Sequence, residues 1–154
     1  MLIQTNPVQQ AMIHHEWIFP AAECVHIVCF ALSIGTIAVV DISLLGWGLP
    51  RKTASRLLQS TGLWTLVGLV LVIFSGFLIF LSDPAHYLIN EAFLLKITCL
   101  TLAIVFNYTI HRKVAMSKNE SPVADRLVAG VSLALWISIV FSGLFIAFSD
   151  QLKT

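Results

Sequence analysis

The sequence has few charged side chains. Only 11% of its 154 residues are Asp, Glu, Lys or Arg, whereas an average soluble domain has about 25%. Hydrophobic residues make up 58% of the chain, which is more than an aqueous core of this size can bury. These proportions exclude a soluble globular protein. They predict a single membrane-embedded domain, residues 1–154, with the lipid bilayer as its main partner.

The chain also lacks an excess of charge and a regular set of cysteines. Because the net charge is only +1, no nucleic-acid partner is predicted. Cys24, Cys29 and Cys99 form no disulfide framework and are interpreted as small buried hydrophobic residues. A phosphate-binding glycine loop, a nucleophile triad and paired-cysteine zinc spacing are absent, so no catalytic residue is predicted.

Four apolar segments are each long enough to cross a bilayer, which takes about 20 residues. They are predicted at residues 18–47, 63–81, 92–110 and 127–148. The predicted fold class is therefore all-α, an integral membrane four-helix bundle. Gly46 is predicted to end the first helix, Pro84 to lie in the first turn of the third, and Pro122 to open the fourth.

The basic residues predict the orientation. Seven of the nine lie in or beside the first and third loops: Arg51, Lys52, Arg56, Arg112, Lys113, Lys118 and Arg126. Because basic loops stay in the cytoplasm, both termini are predicted to face outward. In a bacterium this places them in the periplasm and the protein in the inner (cytoplasmic) membrane.

The ends of the second and fourth segments resemble each other. Residues 74–83 read FSGFLIFLSD and residues 141–150 read FSGLFIAFSD, with six of the ten positions identical. Both run in the same direction, which predicts a duplicated helical hairpin with halves related by an axis along the membrane normal. A chance similarity between two Phe-rich segments is the alternative. The duplication favours a ligand or partner site between the halves.

Polar residues within the segments follow narrow faces, at about 100° per residue along a helix. The first helix carries Glu23, His26, Ser33, Ile37 and Asp41 on one face, and the third carries Lys96, Ala103, Asn107 and His111. Small residues form stripes on the second and fourth helices: Gly68, Ser75 and Ser82, then Ser138, Ser142 and Ser149. Polar groups in hydrocarbon usually face the bundle interior, so both polar faces are candidate functional surfaces.

Depth along the helices separates the histidines. At 1.5 Å per residue, His26 and Lys96 both lie about 12 Å below the outer boundary, and His111 lies about 22 Å deeper than Lys96. His26 and His111 therefore cannot bind the same iron. A second ligand in the outer half would be His86, near the outer interface, or one of the N-terminal histidines, His14 and His15.

Several roles are open for the residues of the outer half. His26 is a haem or metal ligand, a proton-relay or substrate-binding group, or a histidine that only bonds to a neighbouring helix. Lys96 is expected to pair with Glu23, one turn above His26, or to bind a haem propionate. The alternative for Lys96 is snorkelling toward the headgroups.

Two expectations concern the inner half. His111, which stands beside Arg112, is expected to belong to the cytoplasmic basic rim. Asp41 is near a helix end and is expected to pair with a basic residue of the inner surface, namely Arg51, Lys52 or Arg112.

Several motifs occur together along the chain: Glu23 to His26 with Gly35, residues 41–46 (DISLLG), Ser75-Gly76, Ser82-Asp83-Pro84, and Asn90 with Phe93 and Lys96. In this combination the chain resembles a bacterial four-helix membrane-protein family of unknown function. The resemblance covers nearly the whole chain and implies the four-helix fold, without a defined activity.

More remotely, His26 with its downstream glycine and Lys96 at the start of the third apolar segment are similar to two other families. These are the copper-resistance D type proteins and the membrane protoporphyrinogen-oxidising enzymes. The latter are associated with haem b, so the resemblance implies haem b near these two residues. A second histidine can follow the lysine in those proteins, where this chain has Asn107, with His111 one turn beyond.

The sequence therefore predicts a small inner-membrane redox subunit, similar to a b-type cytochrome. It would pass electrons between the quinone pool and a periplasmic partner. His26 is the predicted axial ligand of haem b and His86 the second ligand. Lys96 and Glu23 are predicted to set the charge around the cofactor.

Two alternatives come from other classes. A copper-handling or other membrane transport protein would use histidines as metal ligands, namely His26, His86, His14 and His15. A cofactor-free membrane anchor or assembly subunit would use none of them. The predicted protein partners are a periplasmic redox or copper protein and, through self-association, a homo-oligomer or larger membrane complex.

Overall fold

The chain folds into helices joined by short turns. The computed structural model describes residues 7–117 and 121–151, with side chains for 7–12, 14–117 and 121–148. Four long helices, called spans 1 to 4, cover Ile18–Leu45, Ala54–Ser82, Glu91–Met116 and Pro122–Gln151. Shorter elements are helices Pro7–His14 and Pro84–Leu88 and a 3-10 turn at Arg51–Thr53. Lys118 of the third loop, the Ser149 side chain of the predicted serine stripe and the C-terminal residues 152–154 lie outside the described part.

The four spans are long and apolar enough to cross a membrane, with mean hydropathy between 1.8 and 2.5. Large apolar side chains cover their outer surfaces, among them Val28, Val70 and Phe145, which are 67%, 56% and 62% exposed. Such a continuous apolar surface fits lipid rather than water. The chain is thus a multi-pass membrane protein of the all-α class, as the sequence predicts.

The beginning of span 3 differs from the prediction. Pro84 opens a separate short helix, and the Asp83 side chain caps it by accepting from the His86 N–H. Span 3 begins later, at Glu91, because the Asn90 side chain accepts two backbone N–H groups of its first turn. Placing Pro84 in the first turn of the third spanning helix was therefore wrong. The ends at Gly46 and Pro122 agree with the prediction.

The spans pack in a ring. Span 1 packs mainly against span 2 and span 3 against span 4, while span 1 also contacts span 4 and span 2 contacts the Arg112–Met116 end of span 3. This pairing of neighbours fits two joined hairpins. Since successive spans alternate in direction, the start of span 1 and the close of span 4 share one end of the bundle, called the terminal end.

The opposite end, called the basic end, holds the basic residues of the first loop and of the facing ends of spans 3 and 4. Arg51 Nε donates to Asp125 Oδ2 at 2.7 Å, and Arg51 Nη2 donates to the Val114 carbonyl at 2.9 Å. Arg51 thereby connects the first loop to both spans of the second hairpin.

Candidate functional site

The most deeply buried polar group is a cluster of Asp41, His111 and Ser132, called the Asp41 layer. His111 Nε2 and Asp41 Oδ1 are 2.6 Å apart, and Ser132 Oγ donates to Asp41 Oδ2 at 2.7 Å. Asp41 and His111 are 0% exposed and Ser132 is 2% exposed. Three spans therefore contribute side chains to one hydrogen-bonded group in the middle of the bundle.

The order of these bonds decides what chemistry the cluster can perform. In a nucleophilic serine site the histidine bonds to the serine and the carboxylate bonds to the histidine. Here Ser132 and His111 bond to different oxygens of Asp41. Ser132 therefore lacks the histidine base of a nucleophilic site, and the group is suited to holding and exchanging a proton.

Two expectations for this layer were wrong. Asp41 does not pair with a basic residue of the inner surface, since Arg51 binds Asp125 instead. His111 does not belong to the basic rim, because it is fully buried while the adjacent Arg112 and Lys113 are exposed. Span 3 continues to Met116, so His111 lies inside a helix and its rotational position, not its basic neighbours, fixes its surroundings.

Two buried atoms beside this pair have no protein partner. Nδ1 of His111 and Oδ1 of Asn107 make no hydrogen bond within the described residues, and Asn107 is only 6% exposed. Both belong to a π-helical turn, Asn107–His111, inside span 3. Single π turns within α-helices occur frequently at functional sites.

A small cavity of about 20 Å³ is lined by these two residues. The lining includes His111, Asn107 and the hydroxyl-bearing side chains of Thr36, Thr65 and Tyr108. Tyr108 is itself exposed, as is Arg112. The cavity therefore runs from the Asp41 layer to the outside of the bundle between spans 2 and 3.

His26 lies in a second polar layer, nearer the terminal end, called the His26 layer. Its Nδ1 is 3.0 Å from Ser75 Oγ, and Ser75 Oγ donates its one proton to the Leu71 carbonyl at 2.7 Å. With the hydroxyl proton placed there, the serine oxygen accepts from the Nδ1–H tautomer of His26, which presents a lone pair at Nε2. Phe30 stacks on the ring at a centroid distance of 6.3 Å.

Lys96 shares this layer, as its predicted depth requires. Its ammonium is near enough to His26 to interact with it electrostatically. A Cβ on Gly143 would lie 3.4 Å from Lys96 Nζ, so that glycine makes room for the ammonium. The predicted partner Glu23 is exposed, and within the described part of the chain it forms no ion pair with Lys96. The prediction of a Glu23–Lys96 pair was therefore wrong.

The other predicted histidines lie elsewhere. The His86 ring meets the edge of Tyr87 at 5.7 Å on the short helix at the terminal end. His14 and His15 are exposed at the end of the Pro7–His14 helix. In residues 7–117 and 121–151 no three His, Cys, Asp or Glu side chains form a group that fits a metal ion.

Comparison with known families decides the chain's affiliation. The model of a family of unknown function, DUF6644, matches residues 17–149. The chain belongs to this family. No curated protein and no solved structure matches it at a significant level. The match agrees with the resemblance to a four-helix family of unknown function and includes all four spans, while the two remoter resemblances stay predictions.

Sequence reasoning missed a regular spacing that fits the predicted duplication. The same 15 residues separate His26 from Asp41 and Lys96 from His111, and ten residues separate Thr65 from Ser75 and Ser132 from Ser142. These equivalences pair unlike residue types, so a search for identical letters finds only the Phe-Ser-Gly segments. An alignment of polar positions in spans 1 and 3 would have identified His111 as the counterpart of Asp41.

Proposed function

We propose that the chain is a small redox subunit of the bacterial inner membrane that holds haem b at His26. It would pass electrons between the quinone pool and a periplasmic partner. One observation carries the proposal: in its Nδ1–H tautomer His26 presents the Nε2 lone pair in the same layer as the Lys96 ammonium, and within the described part of the chain no carboxylate pairs with that ammonium.

The residues of the His26 layer fit such a group. A histidine that binds a metal usually donates its other ring N–H to a fixed acceptor, as His26 does to Ser75. An ammonium at this depth favours a carboxylate beside it, and a haem propionate would supply one to Lys96. When bound, haem supplies reversible one-electron redox chemistry at iron.

The residues of the chain would each perform a separate task. Ser75 fixes the tautomer and orientation of the His26 ring. Gly76 lets that ring lie close to span 2, since a Cβ there would be 3.0 Å from His26 Cε1. Lys96 would neutralise one acidic group of the cofactor. His86 stays the proposed second ligand, and Glu23 is left out because it is exposed and bonded to neither residue.

A visible absorption spectrum of the detergent-purified protein, before and after dithionite, tests the proposal. Protein from a haem-replete host should show a reducible Soret band. His26→Ala should abolish it or shift it strongly, because losing an axial ligand changes both affinity and spin state. His15→Ala, which alters an exposed histidine, is the matched control and should leave the band unchanged.

A wild-type protein without Soret absorbance would overturn the haem proposal. Copper titration would then separate the two remaining classes. Stoichiometric copper binding that His26→Ala removes would favour the copper-handling or transport alternative. The absence of any bound metal would favour a cofactor-free anchor or assembly subunit.

The proposed orientation puts both termini in the periplasm and the basic end in the cytoplasm. Alkaline phosphatase fused after Thr154 should therefore be active, and a fusion at Ser55, beside the basic loop, should be inactive. The opposite pair of results would overturn the orientation and place His26 in the cytoplasmic half.

A further inference from the structure

We propose that the Asp41 layer and its cavity form a proton-exchange site with one bound water, separate from the His26 layer. The site does not depend on the proposed haem, because the two layers are about 22 Å apart along the helices. The argument rests on three features: a fully buried acid and base, two polar atoms without a partner among the described residues, and a cavity lined by the residues that carry those atoms.

The hydrogen bonds leave one atom of the pair able to exchange a proton. Both oxygens of Asp41 are occupied, one by His111 Nε2 and the other by the Ser132 hydroxyl. The other ring nitrogen, Nδ1, has no partner among the described residues, and His111 lines the cavity. A proton that enters or leaves the pair must therefore pass through Nδ1.

The cavity fits a single water molecule. A water needs about 10 to 15 Å³ and two to four polar partners, and the cavity measures about 20 Å³. Buried polar atoms nearly always have a hydrogen-bond partner. A water here would accept from Nδ1–H of a protonated His111 and donate to Asn107 Oδ1, which satisfies both unpartnered atoms at once.

Charge sets the two states of the site. With an Asp41 carboxylate and a His111 imidazolium the pair is neutral, and neutrality is favoured in a low-dielectric interior. Loss of a proton breaks the Nδ1–H bond, forms an O–H bond on the water and leaves the pair with one negative charge. No electron is transferred, and the released proton passes to bulk water.

The surroundings define where that proton goes. The charged and titratable groups that line the cavity are His111, Tyr108 and Arg112 from span 3, and the lining from spans 1 and 2 carries none. Asp41 of span 1 faces His111 itself. Span 4 contributes the Ser132 hydroxyl to Asp41. Because Tyr108 and Arg112 are exposed, the exchange occurs near the basic end, where the guanidinium stabilises the negative state.

Nitrogen-15 NMR of the histidine rings, followed over a pH titration, tests this site in the full chain held in lipid nanodiscs. His111→Gln assigns the His111 signals. The expected result is that Nε2 stays protonated throughout while Nδ1 changes from protonated to bare as the pH rises. An Nδ1 signal that stays constant across the range overturns the proposal.

The same NMR titration of Asp41→Asn gives a second test, which does not depend on whether His111→Gln folds. Without the carboxylate, the imidazolium loses its counter-ion, so the ring should be neutral over the whole range. A ring that still takes up the second proton as in the wild type would show that Asp41 does not hold it, which overturns the paired site.

The water is tested through exchange of the Nδ1 proton with solvent. Asn107→Leu removes the acceptor and fills the cavity, so the exchange rate should fall clearly below that of the wild type, because the water that carries the proton is displaced. Thr109→Val is the matched control, since Thr109 is an exposed residue of the same π turn that bonds only to its own helix. An unchanged rate in Asn107→Leu overturns the cavity route. Histidine NMR spectra that change when Na⁺ is replaced by K⁺ would show that the cavity holds a cation instead of the proposed water.

Discussion

The His26 layer and the Asp41 layer lie at different depths, and each combines residues from matching positions of the two halves of the bundle, yet their chemistry differs. In the Asp41 layer an acid on span 1 meets a base on span 3, and a serine of span 4 completes the acid's bonding. In the His26 layer the facing groups are both basic, His26 and Lys96. The two layers thus take residues from matching positions of the two halves. The residue types decide whether the polar groups of a layer find their partners within that layer.

Exposure follows from this difference. The Asp41–His111 pair is completely excluded from the surface, while His26 and Lys96 are only partly buried. The Asp41–His111 contact gives both buried groups a hydrogen-bond partner inside the bundle, as buried polar groups require. Two neighbouring bases offer each other no such partner, which is why the His26 layer is suited to a ligand with an acidic group.

The largest effect is expected from Asp41→Ala. Removing one partner of a buried pair leaves His111 without its acceptor, which should destabilise the protein by about 3 to 5 kcal/mol. Chemical unfolding in detergent followed by circular dichroism would measure this. Ser132→Ala removes one hydrogen bond to the same carboxylate and should cost about 1.5 to 3 kcal/mol. Equal losses from the two variants would contradict the central role of the Asp41–His111 bond.

Between the layers, Gly68→Ala should destabilise by about 1 to 3 kcal/mol, as overpacking does. A Cβ at Gly68 would clash with Ser33 Oγ and lie 3.2 Å from the Cys29 carbonyl, so spans 1 and 2 must separate. Gly35→Ala is the matched control, because nothing lies within 4 Å of its Cβ position. It should stabilise the helix by up to about 1 kcal/mol. Thermal unfolding of both variants checks the opposite signs.

Arg51→Ala should lower the unfolding free energy by about 2 kcal/mol, because it removes a charged hydrogen bond to the nearly buried Asp125. The same variant shows whether the basic end or the Asp41 layer holds the two hairpins together. Lys52→Ala, which changes the exposed neighbour, should have no measurable effect. A loss above that of Asp41→Ala would reverse the ranking of the two regions.

The smallest effects are expected from separating Glu23 and Lys96, the two charged residues that the sequence predicted to pair. Glu23→Gln should change stability by less than about 0.5 kcal/mol, as surface substitutions do. Its effect should add to that of Lys96→Met within about 0.5 kcal/mol in the double variant, because independent sites are additive. Thermal melts of the three variants measure this, and a larger departure from additivity would restore the Glu23–Lys96 pair.

The sequence alone was informative wherever a single helix carries the information. Hydropathy and length identified all four spans, and the rotational positions of Asp41 and His111 placed both on inward faces. The turn at Pro84 was misread because two capping residues, Asp83 and Asn90, stand close together and either can begin a helix. Only the packing of the segment selects between them.

The partners of the buried polar groups were decided by the tertiary structure. Sequence fixes the depth of a residue and the face of the helix on which it lies, because both follow from a constant rise and rotation per residue. It does not fix which face of a neighbouring helix comes opposite. Asp41 was near three arginines and lysines along the chain, yet it bonds to His111 and Ser132, 70 and 91 residues away. Pairing across helices depends on how the bundle closes, and the cost of an uncompensated charge in hydrocarbon selects the closure in which acid and base meet.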